Sequence, residues 1–212
     1  MKINHSHFRQ YREIFENEFF VIACDCSMGA KDFCAAQFIS KTKLDIPIVY
    51  HAPVITNIMT NEIFPVLQKL NKITGIKPVI CYERNNGGMF ELDRLATMNR
   101  LDEFDIYFDN NNKLGWDTNT ATRPKMLQDI KECVENQLLT IYDKLTVEEM
   151  FSFILCQTST IWKAQAEKNA HDDLVMALAI AYQLYLSVPT PTQRTGQDDY
   201  NEPVYQTARR AY

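Results

Sequence analysis

Residues 19–40 read FFVIACDCSMGAKDFCAAQFIS, and this stretch decides the fold. It contains two strand-like apolar runs, Phe19–Asp25 and Phe33–Ser40, joined by the short segment Cys26–Asp32. A connection this short favours an antiparallel hairpin, because a parallel crossover needs about a dozen residues or more. The sequence therefore predicts a sheet that begins with a hairpin.

Apolar periodicity predicts that strands and helices alternate after the hairpin. The expected strands are Ile46–His51, Pro78–Glu83, Asp105–Phe108 and Leu138–Tyr142, and the expected helices are Asn61–Thr74, Phe90–Met98, Thr122–Glu135, Thr146–Leu155 and Asp172–Leu186. This order predicts an α/β fold with a mixed central sheet, antiparallel hairpin strands first and helices on both faces.

Local signals at the predicted helix ends are consistent with these limits. Pro65 would fall in the first turn of its helix, where proline is tolerated. Thr122 would cap its helix, and Thr146 with Glu149 would form a capping box.

The length of 212 residues favours one domain. We expect a linker or leading helix over residues 1–18, the folded domain over residues 19–186 and a flexible tail, rich in proline and polar residues, over residues 187–212. No basic segment followed by an apolar stretch begins the chain, and no apolar run is long enough to span a membrane.

The six cysteines lie in apolar runs without the paired spacing of a zinc ribbon, which predicts reduced core residues and a reducing cytoplasm. The net charge of −5 does not indicate a nucleic-acid surface, since such domains are often strongly basic. An acidic site that binds cations would account for part of this negative charge.

Carboxylates stand at the ends of three predicted elements. Asp25 closes the first strand, Glu83 closes the strand Pro78–Glu83, and the pair Asp172-Asp173 opens the last helix. Acids at the carboxyl ends of neighbouring strands, with others at an adjacent helix start, can hold divalent cations through oxygen ligands alone. Alternation along the first strand places Cys24 and Cys26 on the face opposite Asp25, so the thiols are not expected as ligands.

Each acid also has a structural interpretation. Asp25 could cap a turn, Glu83 could be a solvated surface carboxylate balanced by Arg84, and Asp172 or Asp173 could cap the helix. Further candidates carry weaker signals. Asp32, Asn85 and His171 could lie in an outer shell of the site, His51 could bind metal or carry protons, and Arg123, Lys125 and Lys163 could contact DNA phosphates.

Taken in order, these motifs resemble the nuclease domain of the large terminase subunit of tailed bacteriophages. The resemblance rests on Asp25 with Ser27, Gly29 and Asp32, on Glu83 with Asn85 and Gly87, on Thr122-Arg123, and most specifically on residues 171–181, HDDLVMALAIA. It covers residues 19–186. It implies a ribonuclease-H-like fold and cleavage of double-stranded viral DNA during genome packaging in the host cytoplasm.

By the same resemblance, Asp25, Glu83, Asp172 and Asp173 would be both catalytic residues and ligands of two Mg²⁺ or Mn²⁺ ions. The implied partners are a terminase ATPase domain, of which this chain carries no recognisable part, a small terminase subunit and the portal. Two other classes remain open: a Holliday-junction resolvase or transposase-like nuclease on the same fold, and a non-catalytic DNA-clamping module whose acids only cap turns and helices.

Overall fold

The computed structural model describes residues 2–29, 32–158, 161–166 and 171–191. Its strands are β1 (Phe8–Gln10), β2 (Phe20–Asp25), β3 (Cys34–Ser40), β4 (Asp45–Ala52), β5 (Val79–Tyr82), β6 (Asp105–Ile106), β7 (Thr140–Ile141), β8 (Phe153–Thr158) and β9 (Ile161–Ala166). Its helices are α1 (Thr56–Thr74), α2 (Gly88–Met98), α3 (Thr122–Glu135), α4 (Lys144–Phe151) and α5 (Asp173–Ser187).

The main sheet has the order β1-β4-β3-β2-β5-β6, with β7 paired to β4. The predicted hairpin is confirmed, because β2 and β3 pair antiparallel with Asp25 opposite Ala35. On the other side of β2 the sheet becomes parallel, as β5 pairs with β2 and β6 with β5. The result is the predicted mixed sheet, in which the carboxyl ends of β2 and β5 lie side by side.

Alternation along β2 separates the core into two layers. Val21 and Ala23 pack in one cluster with residues of α3 and α5, whereas Ile22 and Cys24 pack in another with residues of α1 and α2. Helices therefore cover both faces, as predicted. Asp25 continues the series that faces α5, and Cys26 lies in the opposite cluster.

The prediction of a leading helix before residue 19 is wrong. Phe8–Gln10 instead forms β1, which pairs antiparallel with β4 in the register Phe8 to Tyr50. The rings of Phe8 and Tyr50 lie 4.9 Å apart, so this segment is part of the folded body. Pairing with a distant strand offsets the local helical character of the segment.

Helix α1 begins at Thr56, before the predicted start at Asn61, so Pro65 lies inside the helix rather than in its first turn. The extra residues have a packing reason, because Thr56, Met59 and Thr60 are all buried. Tertiary burial of this face offsets the cost of an internal proline.

The capping predictions also need correction. Ala121, and not Thr122, is the N-cap of α3, and Asp143 caps α4 by accepting a hydrogen bond from the Thr146 N–H at 2.8 Å. The expected capping box does not form. Helix α4 ends at Phe151, and Leu155 belongs to β8.

At the other end, the folded part extends past the predicted limit at residue 186. Ser187 is the last residue of α5 and Val188 is buried. The tail predicted beyond it lies, from residue 192 onward, outside the described residues. Among the described helices, none combines the length and the apolar character needed to cross a membrane.

Candidate metal centre at the sheet edge

Asp25 and Glu83 are neighbours at the edge of the sheet. The Glu83 N–H donates to the Cys24 carbonyl at 2.9 Å, which extends the parallel pairing of β2 and β5 to the position beside Asp25. The two carboxyl groups share a hydrogen bond, although only 8% of Asp25 and 6% of Glu83 is exposed. Two buried acids in contact are costly unless a proton or a cation lies between them.

The loop after Glu83 turns sharply and depends on glycine. A Cβ on Gly88 would lie 1.8 Å from the Glu83 carbonyl oxygen, and Gly87 has a φ of +85°. The Asn85 side chain donates to Glu83 Oε1 at 3.3 Å. This loop therefore fixes the direction of the Glu83 carboxylate, as its asparagines and glycines suggested.

Helix α5 brings the remaining pair of acids. It packs against β2 and β3 and starts with Asp172 as N-cap and Asp173 in its first turn. Neither acid caps the helix with its own side chain, since Asp172 makes no such hydrogen bond. Glu149 of α4 instead accepts hydrogen bonds from the N–H groups of Leu174 (2.9 Å) and Val175 (3.4 Å). The two aspartates are thus left to face the cleft.

The electrostatics indicate that the four acids meet. Burial raises the pKa of Asp25 well above its usual range, with the charges of Glu83, Asp173 and Asp172 acting in the same direction. Burial, together with the charge of Asp172, raises the pKa of Asp173 to about 6. Glu149 is affected as well, because burial raises its pKa to about 7. The site concentrates negative charge that a divalent cation would relieve.

One atom of the cluster is orphaned. Asp173 Oδ2 is buried and has no hydrogen-bond partner among the described residues, and the nearest basic group, His171 Nδ1, is 3.6 Å away. An unpartnered carboxylate oxygen beside two other buried acids fits a hard cation with oxygen ligands. Asp25, Glu83 and Asp173 are therefore the residues best placed to hold one, with Asp172 beside them.

The candidates for an outer shell are divided. Asp32 lines the same cleft, and its charge adds to the raised pKa of Asp173. Asn85 contacts Glu83, and His171 contacts Asp173 and packs edge-on against Phe33 at 5.2 Å. His51 is not part of the cleft lining; it stacks on Phe33, and burial lowers its pKa to about 4.

Of the proposed phosphate contacts, only Arg123 lies among the acids. Its Nη2 donates to Asp172 Oδ2 at 2.9 Å, and its Nε is buried without a partner. Lys125 is exposed and pairs with Asp129 within α3. The side chain of Lys163, in β9, lies outside the part of the chain whose side chains are described.

The acids open into a cleft of about 1690 Å³. Its polar end holds the four acids, Asn85, Arg123 and the loop residues Thr118–Thr120, and its apolar end is formed by residues of α3, β7 and α4 such as Ile130, Ile141 and Met150. The cleft is large enough to admit a polymeric substrate beside the acids.

Two polar residues that position α5 were not expected from the sequence. Glu149 was assigned to a capping box in its own helix, whereas its carboxylate caps α5. Gln37, fully buried in β3, donates to Thr146 Oγ1 (3.0 Å) and to the Leu174 carbonyl (3.3 Å). The only available signal was the polarity of Gln37 within an apolar strand.

Neither a protein-family model nor a curated protein matches the chain. Comparison with solved structures does find matches. The nuclease domain of the Thermus phage P74-26 large terminase aligns with a TM-score of 0.62 and 15% identity over 89% of this chain and 90% of that one. The large terminase nuclease of thermophilic phage G20c with bound magnesium gives 0.60 and 15% over 85% and 89%.

The nuclease domain of the phage P22 large terminase aligns with a TM-score of 0.50 and 12% identity, over 83% of this chain and 86% of that one. The G20c nuclease has also been solved with cobalt and with zinc bound. The chain thus has the ribonuclease-H-like fold of large terminase nuclease domains. At these identities the likeness concerns the fold, and the activity is argued separately.

Proposed function

We propose that this chain is a metal-dependent endonuclease that cuts double-stranded DNA during phage genome packaging, as the nuclease part of a large terminase. The observation that carries the proposal is the meeting of Asp25, Glu83 and Asp173 in one cleft of this fold. A clamping module would have no use for buried acids that repel one another at a cost to stability.

Asp25, Glu83 and the Asp172-Asp173 pair would hold Mg²⁺ or Mn²⁺, and two ions are the arrangement we propose. When bound, such ions stabilise charge on the phosphate and lower the pKa of a water molecule. The chain contributes a rigid set of oxygen ligands, held by the Glu83 loop and by the Glu149 cap on α5. Arg123 is the residue best placed to donate to a phosphate oxygen, because it already lines the cleft.

Contacts to DNA would go mainly to phosphates, which makes binding tolerant of sequence and sensitive to salt. Since the cleft is acidic, cations at the four acids would be needed to bring a phosphate close. Selection of the cutting site would then come from partners. We propose a terminase ATPase domain, a small terminase subunit and the portal in this role, with the host cytoplasm as the place of action.

The test is nicking of supercoiled plasmid with Mn²⁺ or Mg²⁺ by the wild-type chain, Asp25→Asn and Glu83→Gln. Changes to residues that support a metal site commonly cost about 10–100-fold, so losing a ligand should reduce the rate by at least about 100-fold. Asp93→Asn is the matched control, because Asp93 is an exposed acid on α2. Circular dichroism checks that each variant is folded.

If the wild-type chain binds plasmid but leaves it intact in either metal, the clamping alternative is correct. Four-way junctions should be included with linear duplex. Strong preference for the junction would favour the resolvase alternative over the packaging nuclease.

A further inference from the structure

A second group of metal-binding side chains lies on the opposite face of the sheet from the acidic cleft. His5 and His7, just before β1, meet Glu62 of α1, and one ligand atom from each lies within 4.8 Å of the others. His7 Nδ1 is 2.8 Å from Glu62 Oε2, and His5 Nε2 is 3.6 Å from Glu62 Oε1. Among the described residues, this is the one set of three His, Cys, Asp or Glu that meets such a distance limit.

The supporting contacts hold the three side chains toward one another. The buried Tyr50 donates its hydroxyl to Glu62 Oε2 at 2.8 Å, which fixes the carboxylate. The His7 carbonyl accepts from the His51 N–H at 3.0 Å, so the backbone of the segment is tied to β4. Orientation of a ligating carboxylate by a hydrogen-bond donor is the usual support for a metal ligand.

The protonation of the imidazoles is compatible with a bound ion. A metal on His5 Nε2 places the proton on Nδ1, which gives up the long contact of 3.3 Å from the His7 N–H. His5 and Glu62 remain partly exposed, with 40% and 18% of their side chains accessible, so an ion can enter and keep a water ligand. Two imidazoles and one carboxylate form a set that suits Zn²⁺ and related ions and is poor for Mg²⁺.

We infer that His5, His7 and Glu62 form a second metal site, which takes a transition-metal ion such as Zn²⁺ and ties the N-terminal segment to α1. The inference is independent of the proposed nuclease function. It differs from the acidic cleft in ligand chemistry, since the cleft offers oxygen atoms and this site offers nitrogen atoms as well. The two sites can therefore be separated by the choice of metal and of variant.

The test measures Zn²⁺ binding by calorimetry with the tag-free chain in excess Mg²⁺, which competes at the carboxylate cleft. One Zn²⁺ should bind to the wild-type chain and raise its Tm. The affinity should fall at least about 10-fold in His5→Ala, by analogy with altered metal sites. His5→Ala keeps the ion pair between His7 and Glu62, and so the fold. Ser6→Ala, between the two histidines, and Asp25→Asn in the cleft should bind like the wild type.

Equal Zn²⁺ affinity in the wild type and in the His5→Ala/His7→Ala double variant would overturn the inference, as would binding that disappears with Asp25→Asn. With Co²⁺ as the probe, visible absorption bands of a nitrogen-ligated ion should appear in the wild type and in Asp25→Asn. These bands should be absent in His5→Ala. Their persistence in His5→Ala would equally contradict the site.

Discussion

Asp25 shows at the scale of one residue how function can oppose stability. Its carboxyl group is buried against Glu83, and its pKa is raised by burial and by the neighbouring acids. Ionising it in the metal-free chain therefore costs free energy. A residue kept at such a cost is typical of a binding site rather than of a turn cap.

Asp25→Asn should therefore stabilise the metal-free chain while it removes the response to metal. At pH 7.5 we expect a rise in Tm of at least about 2 °C, which corresponds to roughly 1 kcal/mol for a chain of this size. Calorimetric melting with and without Mn²⁺ measures both effects. A lower Tm for Asp25→Asn than for Asp93→Asn would contradict this account.

Glu149 acts on the site without touching substrate. Its carboxylate accepts the N–H groups of Leu174 and Val175, and so sets the start of α5 next to Asp173. Glu149→Ala removes this cap and should cost about 1 kcal/mol of unfolding free energy. Because the helix start would fray, the Mn²⁺ concentration needed for half-maximal nicking should rise.

Glu149→Gln is the conservative variant, since its amide oxygen can still accept a hydrogen bond. It should restore most of the metal response in the nicking assay. If Glu149→Ala loses stability but keeps the wild-type Mn²⁺ dependence, the residue is structural only.

At the scale of elements, α1 contains a residue that its own propensity disfavours. Pro65 is exposed and lies well inside the helix, where it lacks an N–H to donate to the preceding turn. Pro65→Ala should raise the unfolding free energy by about 1–3 kcal/mol, less the entropy that the unfolded chain regains. Urea denaturation measures the change, and a destabilised variant would show that the local bend of α1 is needed for packing.

At the scale of the whole molecule, the acids couple metal binding to pH. Asp173, with a pKa of about 6, and Glu149, with a pKa of about 7, bind protons more tightly when folded than when unfolded. Their contribution to stability is complete below about pH 4 and is lost as pH rises through 6 to 7. His51 acts in the opposite direction between about pH 4 and 6.5, because its pKa is lowered to about 4.

Metal competes with the protons on these acids. The rise in Tm caused by Mn²⁺ should therefore be small at pH 5 and should increase toward pH 7.5. His51 contributes equally with and without the metal, so the difference between the two melting curves isolates the acids. Glu83→Gln is the control, and its Mn²⁺ response should be small at every pH. A shift that is independent of pH in the wild type would exclude the acids as ligands.

Much of the fold could be predicted from the sequence alone. The hairpin Phe20–Ser40, the parallel addition of β5 and the buried helix α5 follow from apolar periodicity and from loop length, which are local properties of the chain. The side of β2 on which Asp25 lies follows from the alternation of side chains along a strand. The candidate acids could be named for the same reason, since each stands at the end of a predicted element.

Only the tertiary structure decided which groups meet. The hydrogen bond between Asp25 and Glu83, the pairing of Arg123 with Asp172 and the cap that Glu149 places on α5 join residues from different elements. The same holds for β1, whose helical character yields to pairing with β4, and for the contact of His5 and His7 with Glu62. Periodicity sets which way a side chain faces along its own element, whereas a contact through space depends on how distant elements pack, and packing is not a local property.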